Sequence, residues 1–429
     1  MAGLRNTLAR LHHLRQRFER KLAGAYPTAT APVAANRLRE IAAFGTNPGD
    51  LRMFAYVPKK LQKSPALVVA LHGCSQAAEQ YDYGSGWSAL ADAAGFVVLY
   101  PQQQPINNPK NCFSWFLPGD TARGSGEAQS IRQMIERAAG DFNIHRSRVF
   151  ISGLSAGGAM AGVMLATYPE VFAGGAIIAG LPYGCASSTQ EALELMFNER
   201  SVSSRELGDR VRGASRHQGP WPRVSVWHGT ADTIVKPCNA GSIVRQWIDV
   251  HALAPKASHQ ETVPAYTRRI WNDTAGIPLV EEFSIPGMAH GLPVAPAGAP
   301  HAYGAAGPFF LNVGVSSTYH IARSWELVDA ATVPSVATLP ARAETVDASP
   351  YELEPIPAMA RADTSVDAEW GATHQSKTGL GVDPNAVIAA AFRAAGLPAP
   401  AAGQSPDPLN VAPAPIIEAA LKAAGLGRK

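Results

Sequence analysis

Apolar residues in this chain are concentrated in short continuous runs that are separated by more polar stretches. Six of these runs predict strands, and they cover residues 66–72, 96–100, 149–151, 175–180, 224–228 and 280–285. A run that is apolar throughout, without polar alternation, is typical of a parallel strand covered on both faces. One more run, at 51–57, ends at Pro58 and predicts an edge strand.

Helical periodicity fills most of the intervals between the runs. It predicts helices at 87–94, 125–139, 239–251 and 318–327. Residues 181–222 form a long irregular interval with one amphipathic helix, which predicts a lid or a pocket wall. Strands that alternate with helices predict an α/β fold with a mostly parallel, doubly wound sheet, whose carboxyl-end loops carry the chemistry.

The two ends of the chain have a different pattern, and we expect them to be flexible extensions of a domain at 38–332. Residues 1–37 combine a basic amphipathic helix with a Pro/Ala/Thr-rich linker. Charged residues interrupt every candidate apolar core of a secretory signal there. The helix either binds a surface or, as we favour, rests on the domain or is a loosely held terminus.

The C-terminal extension has two parts. Residues 333–383 are rich in Ala and Pro and predict a disordered linker. Within 384–429, the segments 384–397 and 413–426 resemble each other, and each predicts a short helix with Pro at its start and Gly near its end. These helices either dock on the domain, which we favour, or contact a polymer granule or a partner protein.

Composition excludes several classes of partner. The chain has 429 residues, of which 46% are hydrophobic, and a formal net charge of +3. So small a charge gives no reason to expect a nucleic-acid partner, and no apolar run is long enough to cross a bilayer. The four cysteines fit no zinc pattern, so no metal is expected. They are compatible with two disulfides in an oxidising compartment or with four buried thiols.

Candidate chemistry is concentrated at residues 148–160, where a short buried strand leads through a G-x-S-x-G into small helix-forming residues. Such a nucleophile elbow turns sharply, and the glycines on both sides of the serine let the backbone pass. The hydroxyl of Ser155 would then be exposed at the head of the sheet. The motif also occurs in plain Gly-rich turns, so its partners decide the interpretation.

A serine hydroxyl needs a histidine to take its proton and a carboxylate to orient that histidine. Asp232 lies just past one predicted buried strand, and His290 lies just past the next one. Both therefore reach the edge of the sheet where Ser155 stands. The order Ser, Asp, His is that of α/β hydrolases. We predict that Ser155 is the nucleophile, Asp232 the acid and His290 the base, with no metal and no organic cofactor.

Acyl transfer also requires donors for the developing oxyanion. The N–H of Ala156, next after the nucleophile, is one candidate. The second is predicted in the turn that follows the strand ending at His72, from Cys74 or Ser75. His72 and His228 also end strands, and we interpret both as supports of local structure.

Four segments taken together resemble the poly(3-hydroxybutyrate) depolymerase family of esterases, which is related to the feruloyl and acetylxylan esterases of carbohydrate esterase family 1. The segments are LHGCSQ at 71–76, NCFSWFLPGD at 111–120, GLSAGGAM at 153–160 and WHGTAD at 227–232. The resemblance covers about 38–327. It implies a serine esterase with the α/β-hydrolase fold and supports the same roles for the three catalytic candidates.

The resemblance has further implications for single residues. It implies that Cys74 pairs with Cys112 beside the site, which leaves Cys185 and Cys238 as the second pair. It also suggests that Trp115 contacts substrate, and the alternative interpretation of this residue is a core tryptophan.

The resemblance implies that the substrate is poly(3-hydroxybutyrate), its oligomers or another short-chain hydroxyalkanoate ester. A feruloyl or acetylxylan esterase is the alternative within the fold. A granule-associated binding protein with a vestigial hydrolase core is the alternative from another class. The resemblance and possible disulfides indicate an extracellular protein, whereas the lack of a recognisable signal peptide leaves a cytoplasmic one open.

Overall fold

The structure is a computed structural model, and it describes residues 13–14, 16–17, 20–21, 37–198 and 201–329. The predicted linker at 333–383 and the predicted helices within 384–429 lie outside the described residues. Contacts divide the chain into one unit at Met1–Asp347 and another at Ala348–Lys429. The boundaries of the domain therefore stay predictions.

Strands in the described residues form one large sheet and one small one. They are β1 (Arg39–Glu40), β2 (Arg52–Tyr56), β3 (Leu67–Leu71), β4 (Val97–Gln102), β5 (Val149–Leu154), β6 (Gly174–Ile178), β7 (Arg223–Gly229), β8 (His259–Val263), β9 (Tyr266–Asn272), β10 (Pro278–Ile285), β11 (Leu292–Val294) and β12 (Phe310–Asn312).

Helices connect most of these strands. They are α1 (Ala78–Ser85), α2 (Trp87–Ala94), α3 (Pro118–Thr121), α4 (Gly126–Asp141), α5 (Ala156–Thr167), α6 (Thr189–Phe197), α7 (Ser204–Arg212), α8 (Cys238–Val250) and α9 (Ser317–Ser324), with a 3₁₀ turn at Pro169–Val171.

The large sheet has the order β1-β2-β4-β3-β5-β6-β7-β10-β9-β8. The six strands from β4 to β10 in this order pair with one another in parallel. Beyond β4, the strands β2 and β1 are added by antiparallel pairing, and beyond β10 so are β9 and β8. This confirms the predicted α/β fold with a mostly parallel, doubly wound sheet. The expected edge strand is β2, but Arg39 of β1 pairs with Ala55 on its outer side, so β2 is not at the edge.

Two apolar cores cover the two faces of the sheet. Along β3, Val69 and Leu71 belong to one core, whereas Val68 and Ala70 belong to the other. Both sets are buried because helices cover each face, which explains why the parallel strands are apolar throughout their length. The helix after the elbow, α5, is buried along its whole length against the sheet.

The interval between β6 and β7 contains two helices, α6 and α7, where the sequence predicted one. The side chain of Gln246 on α8 donates hydrogen bonds to the carbonyls of Tyr183 and Leu207 in this interval. These bonds hold the interval against helix α8, and its role as a lid or a pocket wall stays a prediction.

The described residues near the N-terminus are helical and lie against the domain. Leu14 is buried in one of the cores, and the Arg17 guanidinium carbon lies 4.4 Å from the ring centroid of Phe197 on α6. The Lys21 ammonium donates to the carbonyl of Thr233, beside the predicted catalytic acid. This is the placement that the sequence favoured. Among the described residues, no helix combines the length and the apolarity needed to cross a bilayer.

Candidate active site

The turn from β5 into α5 places Ser155 in an unusual backbone conformation, with φ 57° and ψ −118°. A Cβ on Gly153 would lie 2.2 Å from the carbonyl oxygen of Gly157, and a Cβ on Gly157 would lie 2.4 Å from that of Leu71. Only glycine fits so close an approach. The strained turn therefore holds the Ser155 hydroxyl at the carboxyl edge of the sheet.

Three side chains form a continuous hydrogen-bonded series at this edge. Nε2 of His290 lies 2.9 Å from Oγ of Ser155, and Nδ1 of His290 lies 2.7 Å from Oδ2 of Asp232. The last two residues come together because they follow β7 and β10, which are adjacent parallel strands. All three are buried, with exposed fractions of 9% for Ser155, 2% for Asp232 and 3% for His290.

The surroundings of Asp232 favour its ionised form. Its Oδ1 accepts hydrogen bonds of 2.9 Å from the N–H groups of Ile234 and Val235. Burial alone would raise the pKa of this carboxyl, but the charge interaction with His290 and hydrogen bonds from His228 and His290 hold that pKa well below its usual range. The carboxylate can therefore orient the His290 ring at neutral pH.

His228 also touches the acid, which the sequence did not predict. Its Nε2 lies 3.2 Å from Oδ2 of Asp232 and 2.9 Å from the carbonyl oxygen of Val235. Both neighbours are acceptors, so Nε2 must carry the proton. The sequence did contain a sign of this contact. His228 lies near a strand end, four residues before Asp232, and two residues with this spacing share one tight turn.

The turn after β3 contains Cys74 and Ser75, the two residues predicted as sources of the second oxyanion donor. Cys74 lines the cleft beside Ser155. The N–H of Ser75 donates instead to the carbonyl of Lys110, at 2.6 Å, so the prediction of Ser75 as an alternative donor is wrong. Ala156 is the first residue of α5, where N–H groups have no acceptor within the helix. Ala156 and Cys74 therefore remain the candidates, and their role as oxyanion donors stays a prediction.

The same turn is anchored from two sides. A disulfide joins Cys74 to Cys112, as the resemblance implied. Nδ1 of His72 donates to the carbonyl of Gly73 at 2.8 Å, and Nε2 accepts from the N–H of Gln103 at 3.1 Å. Burial lowers the pKa of His72 to about 4, so its ring is neutral at pH 7. His72 is thus a support of local structure, as we interpreted it.

A buried carboxyl that the sequence did not single out lies under the cysteine-bearing loop. Oε1 of Glu127 accepts from Nε2 of Gln103 at 2.6 Å, and Oε2 accepts from the N–H of Ser114 at 2.8 Å. Burial, with a smaller effect of the Asp120 charge, raises the pKa of Glu127 to about 8. Glu127 therefore fixes the loop without belonging to the cleft.

Trp115 lies in the core. Its exposed fraction is 8%, and its ring stands perpendicular to that of Phe116 at a centroid distance of 5.2 Å. The residues that line the cleft do not include it. The interpretation of Trp115 as a substrate contact is therefore not supported, and the core alternative describes it.

The second disulfide that the resemblance implied is not formed. The structure contains no bond between Cys185 and Cys238. Sγ of Cys185 instead lies 3.7 Å from the carbonyl oxygen of Tyr183 and within hydrogen-bonding reach of the Arg210 side chain.

The cleft over Ser155 and His290 is narrow. Its lining residues are Gly73, Cys74, Gln76, Leu154, Ser155, His290 and Phe309. In the described part of the chain, no group of three or more His, Cys, Asp or Glu side chains is placed to hold a metal ion. A hydroxyl, an imidazole and a buried carboxylate in this arrangement can perform acyl transfer.

Comparisons with known proteins agree with this chemistry. The sequence profile of the family described as "Esterase PHB depolymerase" matches residues 53–261. The chain is 44% identical over 292 residues to poly(3-hydroxyalkanoate) depolymerase C of Paucimonas lemoignei, covering 68% of this chain and 70% of the relative. It is 36% identical to an acetylxylan esterase of Coprinopsis cinerea, covering 62% of this chain and 73% of the relative.

A solved structure shares the fold. The acetyl xylan esterase from Aspergillus awamori superposes with a TM-score of 0.59 at 23% sequence identity. The match covers 68% of this chain and 99% of that one. The α/β arrangement described above is therefore that of a solved esterase.

Proposed function

The chain belongs to the esterase family of PHB depolymerases and is a carboxylic-ester hydrolase, and on that premise we propose that it cleaves esters through an acyl-enzyme on Ser155. The observation that carries the proposal is the hydrogen-bonded series from Ser155 through His290 to Asp232, with distances of 2.9 and 2.7 Å. Such a series lets the imidazole take the hydroxyl proton while the carboxylate stabilises the resulting imidazolium.

In the first half of the reaction, Nε2 of His290 removes the proton of Ser155, and Oγ attacks the ester carbonyl carbon. The charge that develops on the carbonyl oxygen is stabilised by the N–H groups of Ala156 and Cys74, and each such donor contributes about 10²–10³-fold in rate. His290 then gives its proton to the leaving alkoxide, the carbon–oxygen bond breaks, and the acyl group remains on Ser155.

In the second half, a water molecule takes the place of the alcohol. His290 removes a proton from this water, which attacks the acyl carbon, and the same N–H groups stabilise the second oxyanion. The proton then returns to Oγ of Ser155 and the carboxylic acid leaves. The proposed cycle uses this chain's side chains and backbone N–H groups together with water.

The proposed substrates are esters of 3-hydroxyalkanoic acids, as polymer or as oligomers. Support comes from the name of the relative that is 44% identical, a poly(3-hydroxyalkanoate) depolymerase. An acetylxylan or feruloyl esterase is the second candidate, because relatives with those names are 36% and 32% identical. Turnover of 3-hydroxybutyrate oligomers, measured against acetylated xylan and methyl ferulate, discriminates the two.

The test of the mechanism replaces the nucleophile. We expect Ser155→Ala to lower kcat for p-nitrophenyl butyrate by about 10⁴-fold or more, since triad members act as a unit. A matched control is Ser147→Ala, because Oγ of Ser147 also lies 2.9 Å from a histidine nitrogen, that of His145, but both residues are exposed. The control should keep full turnover.

Two outcomes would count against the proposal. Turnover that survives Ser155→Ala in a folded protein would refute the role of Ser155. Failure of the unmodified protein to react with a fluorophosphonate probe, together with sedimentation on polymer granules, would favour the binding protein with a vestigial core. Circular dichroism of each variant separates loss of chemistry from loss of fold.

A further inference from the structure

Phe309 forms one wall of the cleft, and neither the sequence motifs nor the mechanism assigns it a role. It lines the cleft together with Ser155 and His290. Its ring centroid lies 6.2 Å from that of His290, and the two planes are nearly perpendicular at 84°. The side chain is half-buried, so part of the ring faces the cleft. A substrate that reaches Ser155 therefore meets an aromatic surface beside the imidazole.

The backbone at Phe309 is held in a conformation that bulky residues rarely adopt, with φ 66°. Neighbouring groups enforce it. The carbonyl of Phe309 accepts a 2.8 Å hydrogen bond from the N–H of Leu292, and the next residue, Phe310, pairs with Leu292 in the parallel β11–β12 ladder. Because Leu292 lies two residues after His290, the ring is fixed relative to the catalytic base.

Strained backbone that its surroundings enforce is concentrated at functional sites. A second restraint points the same way, since a Cβ at Gly291 would lie 2.8 Å from the carbonyl oxygen of Phe309. The two segments therefore approach too closely for any larger residue. This close approach holds the backbone of Phe309 beside the cleft.

We propose that Phe309 is a specificity-determining residue that selects the alcohol part of the ester. The argument rests on the proposed function, in which Nε2 of His290 protonates the leaving alkoxide. That step requires the alcohol to lie on the imidazole side of Ser155, whereas the donor turn at Cys74 holds the carbonyl oxygen. The wall beside the imidazole is the Phe309 ring, so the ring contacts the alcohol.

The chemistry of the ring defines the preferred alcohol. A phenyl ring offers apolar surface and no hydrogen-bond partner, so a hydroxyl placed against it would be desolvated without compensation. An alkyl branch next to the ester oxygen, as in a secondary aliphatic alcohol, would bury apolar area there. Phe309 thus favours secondary aliphatic alcohols, including the alcohol end of a 3-hydroxyacyl unit, over polyols.

The experiment compares two series of esters on the unmodified protein and on Phe309→Ala. One series keeps the butyryl group and varies the alcohol among methanol, 2-propanol, ethyl 3-hydroxybutyrate and glycerol. The other keeps methanol and varies the acyl group among acetyl, butyryl and hexanoyl. In Phe309→Ala, we expect the ratio of kcat/KM for the butyryl ester of ethyl 3-hydroxybutyrate to kcat/KM for the butyryl ester of glycerol to fall tenfold or more relative to the unmodified protein. The change should arise mainly through KM. The acyl ratios should change less than twofold.

Two further variants keep the test decisive. Phe309→Gly removes the ring and also relieves the positive φ, so it reports on the ring even where the alanine variant folds poorly. Leu311→Ala is the matched control, since Leu311 is a half-buried apolar residue two positions after Phe309, in β12 and outside the cleft lining. It should keep the alcohol ratio of the unmodified protein.

Fluorophosphonate labelling separates this proposal from the proposed function. A Phe309→Ala or Phe309→Gly protein that labels at Ser155 and has the expected altered alcohol ratio supports both. Labelling with an unchanged alcohol ratio, or with equal losses across both ester series, overturns the specificity role and leaves the mechanism standing. Absence of labelling in the unmodified protein overturns the mechanism on which the role rests.

Discussion

Asp232 receives hydrogen bonds from two histidines at the same oxygen, and the two rings have different tasks. His290 contacts Ser155 on its other side, and in the proposed cycle it moves a proton. His228 donates to the carbonyl of Val235 as well as to the acid, so its proton stays in place. We infer that His228 fixes the orientation of the carboxylate and helps to keep it ionised.

This role predicts the effect of substitution at His228. A His228→Leu variant loses a donor to a buried carboxylate, which costs about 1.5–3 kcal/mol, so kcat/KM should fall about tenfold or more. The pKa of Asp232 should rise toward its usual range, and the acid limb of the pH–rate profile should move to higher pH. The measurement is kcat/KM for a soluble ester between pH 3 and 9, because the usual pKa of an Asp carboxyl, 3.8, lies below pH 4.

The matched variant is His228→Gln, whose amide nitrogen is separated from Cβ by as many bonds as Nε2 of histidine. It keeps a donor toward Asp232 and should restore most of kcat/KM and the original acid limb. If His228→Leu and His228→Gln are equally impaired with unchanged pH profiles, His228 serves only packing. Thermal melting of both variants shows whether the fold survives.

Residue roles could be predicted where a motif and the chain order both constrain them. Ser155, Asp232 and His290 follow three strands of one sheet, so strand ends alone bring them to one edge. The contact of His228 with the acid, the bond of Ser75 to Lys110 and the burial of Trp115 arise from loop geometry. No periodicity in the sequence encodes loop geometry, and these three interpretations were therefore incomplete or wrong.

At the scale of elements, the start of α4 connects the core to the loop beside the active site. Glu127, in the first turn of this helix, accepts hydrogen bonds from Gln103 and Ser114 while it is almost fully buried. The position joins three elements, since Gln103 follows β4 and Ser114 lies in the loop after Cys112. The Glu127 carboxyl can support the loop whether or not it carries a proton. Its titration makes the free energy of unfolding depend on pH.

The sign of this coupling follows from the raised pKa. Burial raises the pKa of Glu127 to about 8, from an ordinary value of 4.5. Between these values the folded protein holds a proton that the unfolded chain has released, so this contribution to stability is full at low pH and is lost as the pH rises through about 8. The expected loss is about 1.4 kcal/mol per pH unit within this window.

Glu127→Gln should remove that dependence. The variant loses one acceptor for Gln103 or Ser114 and should be less stable by about 1–3 kcal/mol at pH 5. The difference from the unmodified protein should shrink as the pH rises and reverse by about pH 8, because the unmodified protein loses about 3–4 kcal/mol between pH 5 and 8. Urea unfolding at pH 5, 6, 7 and 8 measures it.

Glu136→Gln is the control on the same helix. A hydrogen bond from Arg146 is the main cause that lowers the pKa of Glu136. Titration of Glu136 therefore changes the stability of the protein only at pH values below the ordinary carboxyl range. This control should leave the slope between pH 5 and 8 unchanged. A constant difference between Glu127→Gln and the unmodified protein across the same range would contradict a proton on Glu127.

Elements that parallel pairing buries on both faces could be predicted from sequence, with bounds that differ by a few residues. The hairpin of β8 and β9 was missed because its residues are largely polar or partly exposed, and such a strand resembles a loop in sequence. The short strand β1, with two residues, and the pair β11–β12 are fixed by tertiary pairing rather than by composition. The interval between β6 and β7 likewise contains two helices where one was predicted.

At the scale of the whole molecule, the catalytic candidates are far apart in sequence and meet because six parallel strands end at one edge. The cleft draws residues from Gly73 to Phe309, and the buried cores extend from Leu14 to Val328. The last described helix, α9, closes the second core through Trp325. The ring of Trp325 stacks on those of Phe150 and Trp87 at centroid distances of 4.8 and 5.8 Å.

This arrangement predicts the outcome of shortening the chain at its C-terminal end. A protein that ends at residue 332 keeps every residue of the cleft and of both cores. We expect its kcat/KM for p-nitrophenyl butyrate to stay within about twofold of the full chain, because the described residues of the cleft and of both cores all precede residue 333. Sedimentation with poly(3-hydroxybutyrate) granules, measured in parallel, tests whether residues 333–429 contribute to granule contact.

A protein that ends at residue 315 is the matched control, since it removes α9 and with it the Trp325 ring. Truncation of a buried tryptophan costs about 3–5 kcal/mol by itself, and this control also exposes the apolar face beneath the helix, so it should not fold. If the chain ending at 332 instead loses turnover of the soluble ester, the catalytic domain extends past that boundary. If it keeps turnover but sediments less with granules, the chemistry and the surface contact belong to separate parts of the chain.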